Sequence, residues 1–224
     1  MVKESEVSNR LIVESKNDQA FVQALVDYLN LPNIFVSAFE SVKVEICKED
    51  YLLSDGVSLA SLIGELKTIK SESQKEVIDK IGIILDADDS ISEKLITINS
   101  ALKKVFPLIE EDLFVKPNEL KELILEDNQV IQVACHMINV NEVGELENLL
   151  REIKTQNSDY ADCLESWRSC VEQKDKKITE KEFVKFWVNN YVRFDTCSKS
   201  EKKQVKTNCS MECFGNVMKN KLHI

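Results

Sequence analysis

The sequence predicts an α/β protein: a mainly parallel, four-stranded sheet with flanking helices over residues 8–155, and a helical C-terminal extension over 156–224 packed on it. Three observations carry this reading. Short apolar runs alternate with segments of helical spacing from residue 10 to residue 153. One of those runs is apolar almost without interruption, as strands covered on both faces of a parallel sheet are. Beyond residue 153 the apolar spacing is helical only.

The first strand is Arg10–Glu14, a β-branched and apolar run. After Ser15, Lys16, Asn17 and Asp18, the residues Phe21, Val22, Leu25, Val26 and Leu29 recur at helical spacing. Asn17 or Asp18 suits the N-cap of that helix, and Pro32 stands beyond its end. Val42–Ile46 alternates with period two and predicts a second strand. Leu59, Leu62, Ile63 and Leu66 then share one face of a helix. Lys80–Leu85 is the near-continuous apolar run, ending at Asp86, Ala87, Asp88 and Asp89; Leu95, Ile96, Ile98, Leu102 and Val105 form the helix after it. Val130–Ile138 is the fourth strand, leading through Gly144 into a helix that starts near Glu145. Four βα units of this kind make a parallel sheet with helices on its faces. Trp167, Val171, Phe183, Phe186, Trp187, Val188 and Tyr191 belong to the helical extension, with Thr179 and Glu182 spaced as a capping box.

The formal net charge of −10 hides a division along the chain. Residues 168–224 hold 13 Lys and Arg against 7 Asp and Glu, leaving 16 against 32 in residues 1–167. A surface that acidic disfavours indiscriminate binding to phosphate backbones, so a polyanion would land on the C-terminal third. The basic stretch Ser198–Lys206 reads as a solvated loop or helix face. The seven cysteines are odd in number and scattered, which argues against a disulfide framework. Cys209, Cys213 and His223 match no Cys-x-x-Cys knuckle and lack a fourth ligand. No run approaches the roughly 20 apolar residues of a membrane span, and no secretory pattern is seen, so the expected compartment is the cytoplasm with no membrane partner.

In parallel α/β sheets, ligands gather at the carboxyl ends of the strands. Here Glu14 ends the first strand and Asp86 and Asp88 end the third, the intervening Ala87 setting both side chains on one side of an extended backbone. Asp18 follows one turn past Glu14, and Glu145 and Glu147 follow the fourth strand. Grouped ionised carboxylates repel one another unless a cation neutralises them, and Mg²⁺ takes oxygen ligands of this kind.

Leu11–Asp18 (LIVESKND), followed by Ile83–Asp88 (IILDAD), resembles the TOPRIM domain shared by topoisomerases, primases and OLD-type nucleases. The spacing of Glu14 and Asp18, with Gly144–Leu150 (GELENLL), is closer to the small OLD-related TOPRIM proteins of bacteria. The resemblance covers about residues 8 to 155 and implies that Glu14 is the catalytic acid/base or a metal ligand. It implies further that Asp86 and Asp88 bind Mg²⁺ or Mn²⁺, and that Asp18 and Glu147 complete a second metal position. Where many relatives have Gly after the first Glu, this chain has Ser15. No Tyr is placed as a topoisomerase nucleophile, and no primase zinc module precedes the domain. The resemblance therefore implies a metal-dependent nuclease on DNA or RNA, an anti-phage defence effector in character. No Gly-x-x-x-x-Gly-Lys-Ser/Thr loop occurs, so any controlling ATPase would be a separate subunit. The alternatives are an idle TOPRIM-fold interaction module and a phosphatase or nucleotidyl-transfer activity on a small substrate. Oligomeric state is not legible.

Overall fold

The computed structural model describes residues 7–39, 59–154 and 157–196. These fall into two compact units, one from Met1–Gln19 and Leu31–Ile138, the other from Ala20–Asn30 and Asn139–Ile224.

The first unit is built on a five-stranded sheet. Its strands are β1 (Ser8–Val13), β2 (Ile34–Ala38), β3 (Ile78–Asp86), β4 (Leu120–Ile124) and β5 (Val130–Ile138), in the spatial order β2-β1-β3-β5-β4. All neighbours run parallel except β4, which pairs antiparallel with β5. The sheet thus has five strands where the sequence predicts four. β2 follows directly after the Pro32–Asn33 turn, where no strand is expected. β4 is a short edge strand whose pattern, one buried residue among four more exposed ones, leaves little periodicity to read. Val42–Ile46, expected as a strand, lies outside the described residues.

Three helices belong wholly or partly to this unit: α1 (Lys16–Tyr28), α2 (Leu59–Glu72) and α3 (Ile91–Val105). Alternate residues of the central strands, Ile12, Ile81, Ile83, Leu85, Val133 and Cys135, form one apolar face. Leu62 and Leu66 of α2, with Ile98 and Leu102 of α3, bury themselves in that same core. Each such side chain contributes about 1.5–3 kcal/mol when fully removed from water. On the opposite face Gly82 of β3 stands in register with Leu11 of β1, and a Cβ there would run into the Leu11 side chain. Buried Asn99 of α3 ties down the chain beyond the helix by donating to the Phe114 carbonyl (2.8 Å) and accepting from the Phe114 N–H (2.9 Å).

The second unit is helical: α4 (Leu146–Glu152), α5 (Asp159–Glu172), α6 (Glu180–Asn190) and a π-helical turn, Tyr191–Thr196. Phe183, Val184, Trp187 and Val188 are buried, whereas Trp167 and Phe186 remain 43% exposed and lie against each other at 5.3 Å between ring centroids. The Thr179 hydroxyl accepts from Glu182 N–H and the Glu182 carboxylate accepts from Thr179, the capping box that the sequence predicts. Asp195 in the π-helical turn accepts from the backbone N–H groups of Tyr160 and Ala161, satisfying two orphan donors at the start of α5.

Candidate functional site

The order β2-β1-β3-β5-β4 places a topological switch between β1 and β3, since the chain builds to one side of β1 with β2 and to the other with β3. Outside the carboxyl ends of two such strands lies the crevice where open α/β sheets bind ligands. Glu14 directly follows β1, Asp86 is the last residue of β3, and Asp88 lies two residues on.

The structure brings these three together. One carboxylate oxygen of Glu14 accepts from the backbone N–H of Asp86 at 3.2 Å. The chain does not stay extended past Asp86: Asp88 has φ of +47°, in the left-handed region that Asp tolerates better than most residues. Ala87 N–H donates to the Ile138 carbonyl of β5, and Ser90 then caps α3 by accepting from Glu93 N–H at 3.2 Å. A rigid strand end and a capped helix thus fix the loop that carries Asp88.

At the centre stands Lys94, a residue that the sequence does not mark as functional. Its Nζ lies 2.5 Å from Asp88 Oδ2 and 3.5 Å from Glu14 Oε2. The Lys94 side chain is only 11% exposed, against 15% for Glu14 and 28% for Asp88. Lysine in the opening turns of a helix opposes the helix dipole, and burying its ammonium adds a desolvation cost. Two carboxylates offset both. Burial works against the Lys94 charge, but the Asp88 hydrogen bond and the fields of Glu14, Asp88 and Asp86 outweigh it and hold the ammonium above the ordinary lysine range. Burial likewise pushes the Glu14 carboxyl up. Lys94 and the Asp86 N–H pull it down, Asp88 and Asp18 push it further up, and the net displacement is upward.

Asp18 is buried, but its carboxylate turns into its own helix. Its Oδ2 accepts from Ser15 N–H at 2.8 Å, while Ser15 Oγ accepts from Asn17 N–H and Asp18 N–H at 3.2 and 3.3 Å. Ser15 is therefore the cap of α1, not Asn17 or Asp18, and Ser15 with Asp18 satisfies both ends of a capping box. Glu147 falls in the second unit, in the first turn of α4, where its field adds to that on Lys185. Glu145 is the N-cap of α4, held at 2.5 Å by Lys181 and 3.0 Å by Lys185. Gly144 before it has φ of +102°, a conformation that glycine alone adopts freely, and a Cβ there would press on Asn148.

The chain belongs to the family described as "Protein of unknown function (DUF3226)", which matches residues 8–221. No curated protein and no solved structure matches it. The matched span takes in both units and every residue around Lys94.

Among the described residues, no three His, Cys, Asp or Glu side chains form a group that could hold a metal ion. The donor chemistry at the switch point is nonetheless all carboxylate oxygen, which suits a hard cation. Mg²⁺ commonly needs only one or two protein carboxylates, taking its remaining ligands from water and a substrate phosphate. Cys135 is buried with its thiol pushed up to about 11 by burial and by Glu119, while Cys163 and Cys170 are free and exposed. Cys209, Cys213, His223 and the basic stretch from Ser198 lie outside the described residues. Among the described residues, no helix is long and apolar enough to cross a membrane.

Proposed function

We propose that this chain is a metal-dependent phosphodiesterase of TOPRIM type that cuts DNA or RNA, serving as a defence nuclease under the control of a separate ATPase subunit. One observation carries the reading: Glu14 and the Asp86–Asp88 pair stand at the carboxyl ends of β1 and β3, on either side of the switch point. The resemblance of Leu11–Asp18 and Ile83–Asp88 to TOPRIM sequences supports it. One or two of the Glu14, Asp86 and Asp88 carboxylates would hold Mg²⁺ or Mn²⁺ together with water and a substrate phosphate, and the ion would supply Lewis-acid polarisation of a phosphoryl oxygen and an acidified water. Glu14, displaced upward in pKa, is suited to take and return a proton. Lys94 faces the same crevice edge with a fixed positive charge, the sign that a phosphate in transfer needs.

A second reading has an observation of its own. Lys94 already neutralises Glu14 and Asp88, so the cluster needs no metal to be tolerated in the fold. That fits an idle TOPRIM fold kept as an interaction module.

Cleavage separates the two. Supercoiled DNA, linear DNA and tRNA are incubated with the full chain and Mg²⁺ or Mn²⁺. Wild type cuts at least one substrate, and Asp86→Asn, still folded by circular dichroism, loses about 10²-fold or more in rate, as removal of a group acting on transition-state charge does. If wild type cuts nothing, with or without a partner ATPase, the interaction module takes its place.

A further inference from the structure

We propose that the C-terminal segment 211–222 docks as a helix on an exposed aromatic ladder formed by α5 and α6, completing the helical unit from within the same chain. The ladder has two rungs. Trp167 of α5 lies against Phe186 of α6 at 5.3 Å between ring centroids, and Tyr160 of α5 lies against Phe194 of the π-helical turn at 5.7 Å. Tyr160 and Trp167 stand two helical turns apart, so both rungs rise from one face of α5, which the exposed thiols of Cys163 and Cys170 share. All four rings stay largely in water, from 40% exposed for Phe194 to 64% for Tyr160. At about 200 Å² for each side chain, they leave roughly 400 Å² of aromatic surface uncovered.

Two copies of this face pressed together would bury about 800 Å², short of the roughly 1,200 Å² at which stable interfaces begin. A surface this small suits a tethered partner, for which a short flexible linker supplies an effective concentration near millimolar. The described chain ends at the ladder itself. Asp195, one residue past Phe194, accepts from the Tyr160 and Ala161 N–H groups and pins the end of the unit to the start of α5. Residues 197–210 can then span up to about 45 Å. With its 14 residues, α5 is only about 21 Å long, so both rungs lie within reach. Beyond that linker Met211, Phe214, Met218 and Leu222 recur at helical spacing, and Met211 and Met218 repeat the two-turn step of the rungs. The family match runs to residue 221 and takes in this stretch, whereas a tail private to this chain would fall outside it. Charge agrees in sign: residues 197–224 hold six Lys against two Glu, and α5 holds four acids against one Arg. Because Asp162 and Glu165 already pair with Lys154 and Arg151, charge steers the segment and apolar area holds it. A helix this short, with Gly215 inside it, is marginal alone, so it forms on the ladder.

The test is hydrogen exchange on the full chain, read peptide by peptide by mass spectrometry, with sedimentation at the same concentrations. In wild type the amides of residues 211–222 should exchange about ten-fold or more slowly than in an unfolded chain, in a monomer and independently of concentration. Phe214→Glu puts a charge on the segment and Trp167→Ala strips one rung; circular dichroism verifies the fold of each. Either substitution should return residues 211–222 to the free rate and speed exchange in α5. The two lie on opposite sides of the contact, so loss of fold in one leaves the other to decide, and the wild-type measurement stands without either. Amides of 211–222 that exchange freely in wild type overturn the proposal. So does protection that survives in folded Phe214→Glu or Trp167→Ala, which would seat the segment elsewhere. Protection found only in a dimer also overturns it, making a second copy the occupant. None of these readouts depends on whether the strand-end carboxylates hold an ion.

Discussion

Lys94 shows why a charged residue on an apolar stripe should attract notice. Leu95, Ile98, Leu102 and Val105 mark the buried side of α3, and position 94 falls among them, so its ammonium had to meet a partner in the interior. The partner carboxylates were legible from the sequence because each ends an apolar strand. The lysine was not, because lysines default to water and nothing local distinguishes this one. Glu14 leads to a prediction with a sign that can be worked out. Its carboxyl holds a proton more tightly in the fold than the ordinary value of 4.5, through burial first and through Asp88 and Asp18 beyond the opposing pull of Lys94. Just above that value the folded chain binds more protons than the unfolded one. Stability therefore falls as pH rises from the ordinary value through the folded pKa, and the penalty is complete only above the folded pKa. Glu14→Gln removes it. The variant should melt at or above wild type at pH 7, with the advantage fading below pH 4.5. A Glu14→Gln chain that is less stable at pH 7 than at pH 4, relative to wild type, would show that the Lys94 pair dominates instead.

Element boundaries were legible where a physical signal spans many residues. β3 and β5 are nine-residue strands, and β3 carries the near-continuous apolar run that reads as covered on both faces, while β2 and β4 are five residues each and carry little pattern. The start of α1 was misread because Ser15, Asn17 and Asp18 are all good caps, and only the geometry shows Ser15 and Asp18 satisfying each other's backbone N–H groups. Ser15→Ala should then cost about 0.5–2 kcal/mol, the usual loss for a capping hydroxyl, read as a lowered denaturant midpoint at unchanged slope. Asp18→Asn should weaken the same cap and leave any stabilisation by Mg²⁺ as it is in wild type. Loss of that stabilisation would instead make Asp18 a ligand. In the middle of the sheet, Gly82→Ala places a methyl against Leu11 across the β1–β3 pair. Because the obstructing atoms belong to the end of a flexible side chain, the expected cost is about 1–3 kcal/mol, the range for overpacking, and not a loss of fold. Replacing Leu11 by Ala in the same chain should recover part of it, which a double-mutant cycle measures.

At the scale of the whole molecule, the strand order turns a list of acids into a candidate site. The sequence supplied the α/β rhythm and the strand-end carboxylates; it could not supply the order β2-β1-β3-β5-β4, because pairing between distant strands leaves no local trace. That order sets Glu14 next to Asp86 across 72 positions of chain. If an ion binds the folded chain there and not the unfolded one, it must stabilise the whole fold by mass action, by about 2.7 kcal/mol at a hundred times its dissociation constant. For a chain of this size that amounts to a rise of roughly 5–11 °C in melting temperature. Wild type melted with and without millimolar Mg²⁺ or Mn²⁺ should show an upward shift that grows with ion concentration. Asp86→Asn removes one ligand charge and should show little or none, while Asp89→Asn, a neighbour whose exposed side chain lies outside the set, should shift as wild type does. Equal shifts in all three chains would mean that the ions act on the acidic surface at large, and the −10 net charge would explain it without any site.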